Sequence, residues 1–280
     1  LSHQPVAILA QASERLVQVS RYRPFQHFGE DRMGCGASAN SKLADASRRG
    51  AVKEMEEAFK AGADPNQSKD EWGHSALILA AGRGNTDACR LLIEQKAEVD
   101  FLNKKDLTAL HYASHDHHLE TVKLLLEHGA HADIYNEMRE TPLFDAAWFG
   151  ELELCKVLVE KGAKVDNQST KTKRTPLHCA ATTGYRDICK FLVEKGANPN
   201  LKDDKDRTPL DVCSKQDREG QEGCYAFLES VTAAAAAPAA GAAAPAEEVQ
   251  AVTPAAEVPA EAAAETPAEA PAAETPAEAA

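Results

Sequence analysis

Thr175-Pro176-Leu177-His178, then Gly184, then Cys189-Lys190-Phe191-Leu192-Val193-Glu194-Lys195-Gly196-Ala197, is one complete unit of a pattern that the chain repeats. Working outward from it, Thr141-Pro142-Leu143, Thr108-Ala109-Leu110-His111 and Ser75-Ala76-Leu77 lie on one side, and Thr208-Pro209-Leu210 on the other. Leu77, Leu110, Leu143, Leu177 and Leu210 are 33, 33, 34 and 33 residues apart. A fixed period near 33 marks a solenoid, in which no unit can bury its apolar face alone.

The unit reads as two helices. A hydroxyl residue before the first helix accepts a hydrogen bond from an unpaired backbone N–H. Proline in the first turn loses nothing, because its missing N–H has no partner there. The first helix runs to a turn at Gly50, Gly84, Gly150 or Gly184. A second helix carries the stripe Cys89-x-Leu91-Leu92, Val122-x-Leu124-Leu125, Cys155-x-Val157-Leu158 or Cys189-x-Phe191-Leu192, and stops at a Gly-Ala pair in most copies. A short polar hairpin leads into the next unit.

These residues resemble the ankyrin repeat, T-P-L-H-x-A, then glycine, then L-L-x-x-G-A, over about Ala39 to Ser230 and about six copies. The resemblance implies an all-α solenoid of helix–turn–helix pairs with short β-hairpin loops. His117 replaces the turn glycine and Lys96 the helix-ending glycine, so those two corners should be less ideal. One residue is inserted near Ser169 to Lys173. The first unit, Lys42 to Asp64, lacks the Thr-Pro-Leu start and reads as an N-terminal cap; Thr208 to Ser230 reads as a C-terminal cap.

Charge and cysteine bound the function. The net charge of −13 argues against nucleic acid as a partner, since that needs a basic footprint. Eight of the glutamates lie beyond Ser230 with no Lys or Arg among them, so residues 1–230 carry only −5. The seven cysteines form no CxxC pair, and Cys89, Cys155 and Cys189 share one slot. They read as small buried hydrophobes in a reducing compartment. No apolar run approaches the roughly 18 residues of a membrane helix.

The two ends differ from the array. Residues 1–38 read as an unstructured N-terminal segment. Met33-Gly34-Cys35-Gly36-Ala37-Ser38 fits the N-myristoylation pattern. If translation starts at Met33, Gly34 is the terminus that takes a myristoyl chain and Cys35 an adjacent palmitoyl; two chains hold a membrane stably where one does not. Residues 231–280 collapse to Ala, Pro and Glu, and the expectation is a disordered acidic tail. Thr253, Thr266 and Thr275 each precede Pro and are candidate phosphorylation sites.

No phosphate loop, nucleophile elbow or recognisable Cys–His pair appears, so no catalytic residue and no cofactor is expected. The sharpest metal candidate is His111, His115, His117 and His118 with Asp116; His111 and His115 are i, i+4. The resemblance instead implies a structural hydrogen bond for His111, and the expectation is no metal.

Binding is expected on the concave face, built from hairpin tips and first-helix ends. Both tryptophans fall at these variable positions. Interface anchors are enriched in Trp, Tyr and Arg. Trp72, Arg83, Arg139, Trp148 and Phe149 are therefore the candidate partner contacts; the competing reading packs Trp148 and Phe149 on the neighbouring repeat. The expected protein is a monomeric, non-catalytic scaffold in the cytoplasm, tethered to a membrane by lipid, with a soluble regulator of an enzyme or complex as the alternative.

Overall fold

The computed structural model describes residues 38–213 and 223–236, all within the first of two units of the chain, 1–238 and 239–280. Twelve helices occur among these residues, in six consecutive pairs. The first helices are α1 (Ala39–Arg49), α3 (Ala76–Ala81), α5 (Ala109–His115), α7 (Pro142–Phe149), α9 (Pro176–Thr183) and α11 (Pro209–Val212). The second helices are α2 (Val52–Lys60), α4 (Thr86–Glu94), α6 (Leu119–Glu127), α8 (Leu152–Glu160), α10 (Arg186–Glu194) and α12 (Cys224–Ala236).

The hydroxyl residues start the first helices as the pattern requires. Ser75, Thr108, Thr175 and Thr208 each accept the backbone N–H three residues on, at Ile78, His111, His178 and Asp211. His111 and His178 complete the box, because their Nδ1 accepts the N–H of Thr108 and Thr175, both at 3.2 Å. Asp211 Oδ2 does the same for Thr208 at 2.8 Å. Thr141 makes no such bond, and its hydroxyl is buried without a partner; Phe144 in the histidine slot also leaves the reciprocal side-chain bond unmade.

First and second helices differ in how they bury. Every residue of α3, α5 and α9 is buried, and all of α7 but Phe149. A helix apolar on all sides belongs inside; an amphipathic one covers it. The second helices are of the covering kind: α4 buries only Ala88, Cys89 and Leu92, and α10 only Ile188, Cys189 and Leu192. First helices pack on first helices along the array, and second on second. Two layers result, with one continuous core between them.

Leu77, Leu110, Leu143 and Leu177 lie in that core, as do Cys89, Cys155 and Cys189. Each buried leucine stabilises by about 1.5–3 kcal/mol. Leu210 in the last pair is only half-buried, because α11 is four residues long and residues 214–222, which follow it, lie outside the described set. Cys224 and Leu228 of α12 close the core there. The helix α12 continues past the boundary expected at Ser230 as far as Ala236, which the high helix propensity of alanine explains.

The two irregular corners are where the sequence places them. Lys96 and His117 sit at φ of +67° and +64°, the left-handed region that glycine takes elsewhere. Gly150 is required for a second reason: a Cβ there would lie 2.5 Å from the Tyr185 ring of the next repeat. Where His117 takes this slot, the next repeat supplies Glu151 instead, and His117 Nδ1 lies 3.4 Å from its Oε1.

Among the described residues the hairpins contain no strand, and a single bridge pairs Lys69 with Ser75. Gly34, Cys35, Thr253, Thr266 and Thr275 lie outside the described residues.

Candidate functional site

Each hairpin is built on one short polar side chain. The backbone N–H groups of Trp72 and His74 donate to Asp70 Oδ1, at 2.9 and 2.8 Å. Those of Lys105 and Leu107 donate to Asn103 Oδ1, those of Met138 and Glu140 to Asn136 Oδ1, and those of Lys205 and Arg207 to Asp203 Oδ1, at 2.8–3.0 Å. Asn and Asp are the residues whose side chains make such turns. The fourth hairpin has Ser169 in this place, and its hydroxyl pairs with that of Thr172 at 2.6 Å. The inserted residue therefore widens one hairpin and leaves its closing bond, Ser169 N–H to Arg174 carbonyl at 3.1 Å, intact.

The residue four positions on, or five in the widened hairpin, is buried in the first four copies and half-buried in the last, and takes four identities in five copies. It is His74, Leu107, Glu140, Arg174 and Arg207. His74 Nδ1 lies 2.7 Å from Asp70 Oδ2 and its Nε2 2.9 Å from the Tyr112 hydroxyl. Asn103 Nδ2 donates to that hydroxyl at 3.2 Å. Arg207 donates to Asp203 Oδ2 through Nε at 3.0 Å and Nη2 at 2.7 Å. Neighbouring tips are tied as well: Lys104 Nζ donates to the Glu71 carbonyl, Thr170 N–H to the Met138 carbonyl and Asp204 N–H to the Thr172 carbonyl. The result is a row of fixed backbone frames with interchangeable side chains at their outer corners.

Electrostatics follow burial. Burial raises the Asp203 carboxyl, but the hydrogen bonds of Arg207 outweigh it and hold the group below the ordinary carboxylate range. Burial lowers His111 and His178, keeping both imidazoles neutral. It raises the Tyr112 phenol, and it pushes the Cys89 and Cys155 thiols up to about 12, which leaves them inert. The six described cysteines are buried thiols outside any disulfide, and Cys189 Sγ lies 3.5 Å from Cys224 Sγ.

The expected partner contacts separate into two groups. Trp72 is 48% exposed on the first hairpin. Arg83 is exposed just after α3, and Arg139 is exposed on the third hairpin with its guanidinium 4.9 Å over the Tyr135 ring. Trp148, by contrast, is 5% exposed and belongs to the core, with its indole N–H unpartnered. The competing reading describes it, since its place in the last turn of α7 faces into the first-helix layer. Phe149 is half-buried and takes His115 and His117 edge-on at 5.0 and 5.2 Å.

His111 is committed at both nitrogens, Nδ1 to Thr108 and Nε2 facing the Glu140 carbonyl at 3.4 Å. Among the described residues no three His, Cys, Asp or Glu side chains are placed to hold a metal ion. No helix among them is long and apolar enough to cross a membrane. Sequence reasoning missed the turn-forming set Asp70, Asn103, Asn136 and Asp203. Its signal was available: an Asp or Asn recurring at the same 33-residue period in otherwise variable loops.

A family model described as "Ankyrin repeats (3 copies)" matches residues 43–136, 96–169 and 143–233, which together cover more than half of the chain. The ankyrin repeat protein nuc-2 of Neurospora crassa is 39% identical over 59 residues. That match covers 21% of this chain and 6% of the relative, so the chain spans a small fraction of that protein's length.

Proposed function

Since the chain belongs to the ankyrin-repeat family, we propose that it is a non-catalytic scaffold or adaptor that holds a protein partner. The observation that carries this reading is the contrast within each repeat. The central first helices α3, α5, α7 and α9 are buried almost throughout, while the hairpin corners hold fixed backbones with side chains that vary among the copies. Such a row supplies a long, rigid surface that tolerates substitution. Trp72, Arg83, Arg139 and Phe149 are the contacts we assign to the partner, on the concave side of the array. Trp148 contributes through packing.

Gly34 and Cys35 carry the lipid in this proposal and hold the array at the cytoplasmic face of a membrane. The six described cysteines, buried as thiols, suit a reducing compartment. The chain works as a monomer and needs no cofactor.

Proximity labelling in cells tests both parts. Trp72→Ala with Arg139→Ala should keep the helical spectrum and lose the labelled partner; an unchanged set of labelled proteins would discard the surface. Gly34→Ala, in a chain started at Met33, should move the protein from the membrane to the soluble fraction. Unchanged fractionation favours the soluble regulator.

A further inference from the structure

We infer, resting on the protein-binding reading above, that the hairpin tips recognise an extended acidic segment of another protein that also carries aliphatic or aromatic side chains. The tips at residues 69–73, 102–106, 135–139, 168–173 and 202–206 expose eight cations and five carboxylates. The helices α2, α4, α6, α8 and α10 carry the opposite balance, eleven carboxylates against seven cations. Positive charge is thus concentrated on one edge of a chain that is acidic as a whole.

The state of these cations strengthens the argument. On the second helices Lys123, Lys156 and Lys190 pair with Glu120, Glu153 and Glu194. On the tips Lys104, Arg139, Lys171, Lys173 and Lys205 stand exposed outside any ion pair among the described residues, while Lys202 attracts Asp211. Arg139 and Lys173, at φ of +56° and +49°, take the corner that Gly73 holds in the first hairpin and that Asp106 and Asp206, at +56° and +57°, hold in the second and fifth.

Apolar groups lie among the charges. Trp72 and Leu102, on adjacent hairpins, are the exposed large hydrophobics of the described residues, at 48% and 45%. Tyr135 occupies the same hairpin slot as Leu102, beneath Arg139. A bare polyphosphate backbone would meet the five carboxylates and find no use for Trp72 and Leu102. A polypeptide can place acids and apolar residues separately. Packed helices stand about 8–10 Å apart, so successive tips are spaced by about three residues of extended chain. Contacting residues in the partner should therefore recur at that interval.

The test is selection of a random peptide display library on the full chain. Acidic peptides with aliphatic or aromatic residues, contacts near every third position, are expected. Their binding should weaken as salt rises and should shift the emission of exposed Trp72 while buried Trp148 stays constant. The double variant Arg139→Gly, Lys173→Gly should melt no lower than the parent yet bind the selected peptides about ten-fold more weakly or worse. Selected peptides without acidic enrichment, or full binding by the glycine variant, overturn the inference. So does an oligonucleotide that competes as well as the peptides. Non-acidic binders lost on Arg83→Ala would remove the tip assignment while leaving the protein-binding reading in place. A library yielding no binder also removes it, and the proximity experiment then judges the broader reading alone.

Discussion

The hairpins at Asp70 and at Asp203 share one backbone and use it for different chemistry. In both, one carboxylate oxygen accepts two backbone N–H groups, and the second oxygen faces the side chain four residues on. At the first hairpin that side chain is His74, which passes the contact to Tyr112 of the next repeat. At the last it is Arg207, which closes an ion pair, with the buried Arg174 of the preceding hairpin 3.8 Å from the same oxygen. The difference teaches that the frame is separable from its filling. Two backbone bonds set the turn, and the inward side chain adapts to whatever the neighbouring repeat offers.

The change that should break both hairpins together lies beneath them. Leu143→Ala, at the centre of the core, should cost about 2–5 kcal/mol in denaturant unfolding, and hydrogen exchange should rise in the repeats on either side. A cost confined to one hairpin would contradict the continuous core. Next, Asp203→Ala should cost about 3 kcal/mol, because it removes a buried carboxylate that takes two N–H groups of Arg207 and lies 3.8 Å from Arg174. Asp70→Ala should cost about 1–3 kcal/mol, since it removes the acceptor of two backbone N–H groups while His74 keeps its contact with Tyr112. Equal costs would mean that the filling contributes nothing.

Acid should separate the two in another way. His111 and His178 are held neutral, with folded values below the unfolded 6.5. Their contribution is present above pH 6.5 and lost as pH falls below it, by up to about 1.4 kcal/mol per pH unit for each histidine. Asp203 is held below 3.8, so its contribution survives that range and is lost only as pH falls through and below 3.8. Melting temperature against pH should therefore fall in two stages. Replacing both histidines by Gln, which keeps the reciprocal cap, should remove the first stage only. The smallest effect is a gain: Lys96→Gly relieves a left-handed corner and should stabilise by about 1 kcal/mol, read as a small rise in melting temperature.

Much of this was legible in the residues. The 33-residue period, the Thr-Pro-Leu starts and the Gly-Ala ends are local signals. Each acts on its own backbone through a cap or a left-handed corner, so no tertiary information is needed to read them. The strained corners at Lys96 and His117 followed by simple alignment of copies. Trp148 did not follow. The same slot holds Gly82, His115 and Thr182 in other repeats, and nothing local says whether a large ring there turns outward or into the layer.

The sequence by itself determined that this is a stacked array of helix pairs, where each pair begins and ends, and that Cys89, Cys155 and Cys189 are core residues. These depend on periodicity and on interactions within a few residues. Only the tertiary structure decided which side chains are left for a partner. Exposure of Trp72, burial of Trp148 and the exposed cations of the tips all depend on what the adjacent repeat places against them. That is a contact between residues some 33 positions apart, which no single repeat contains.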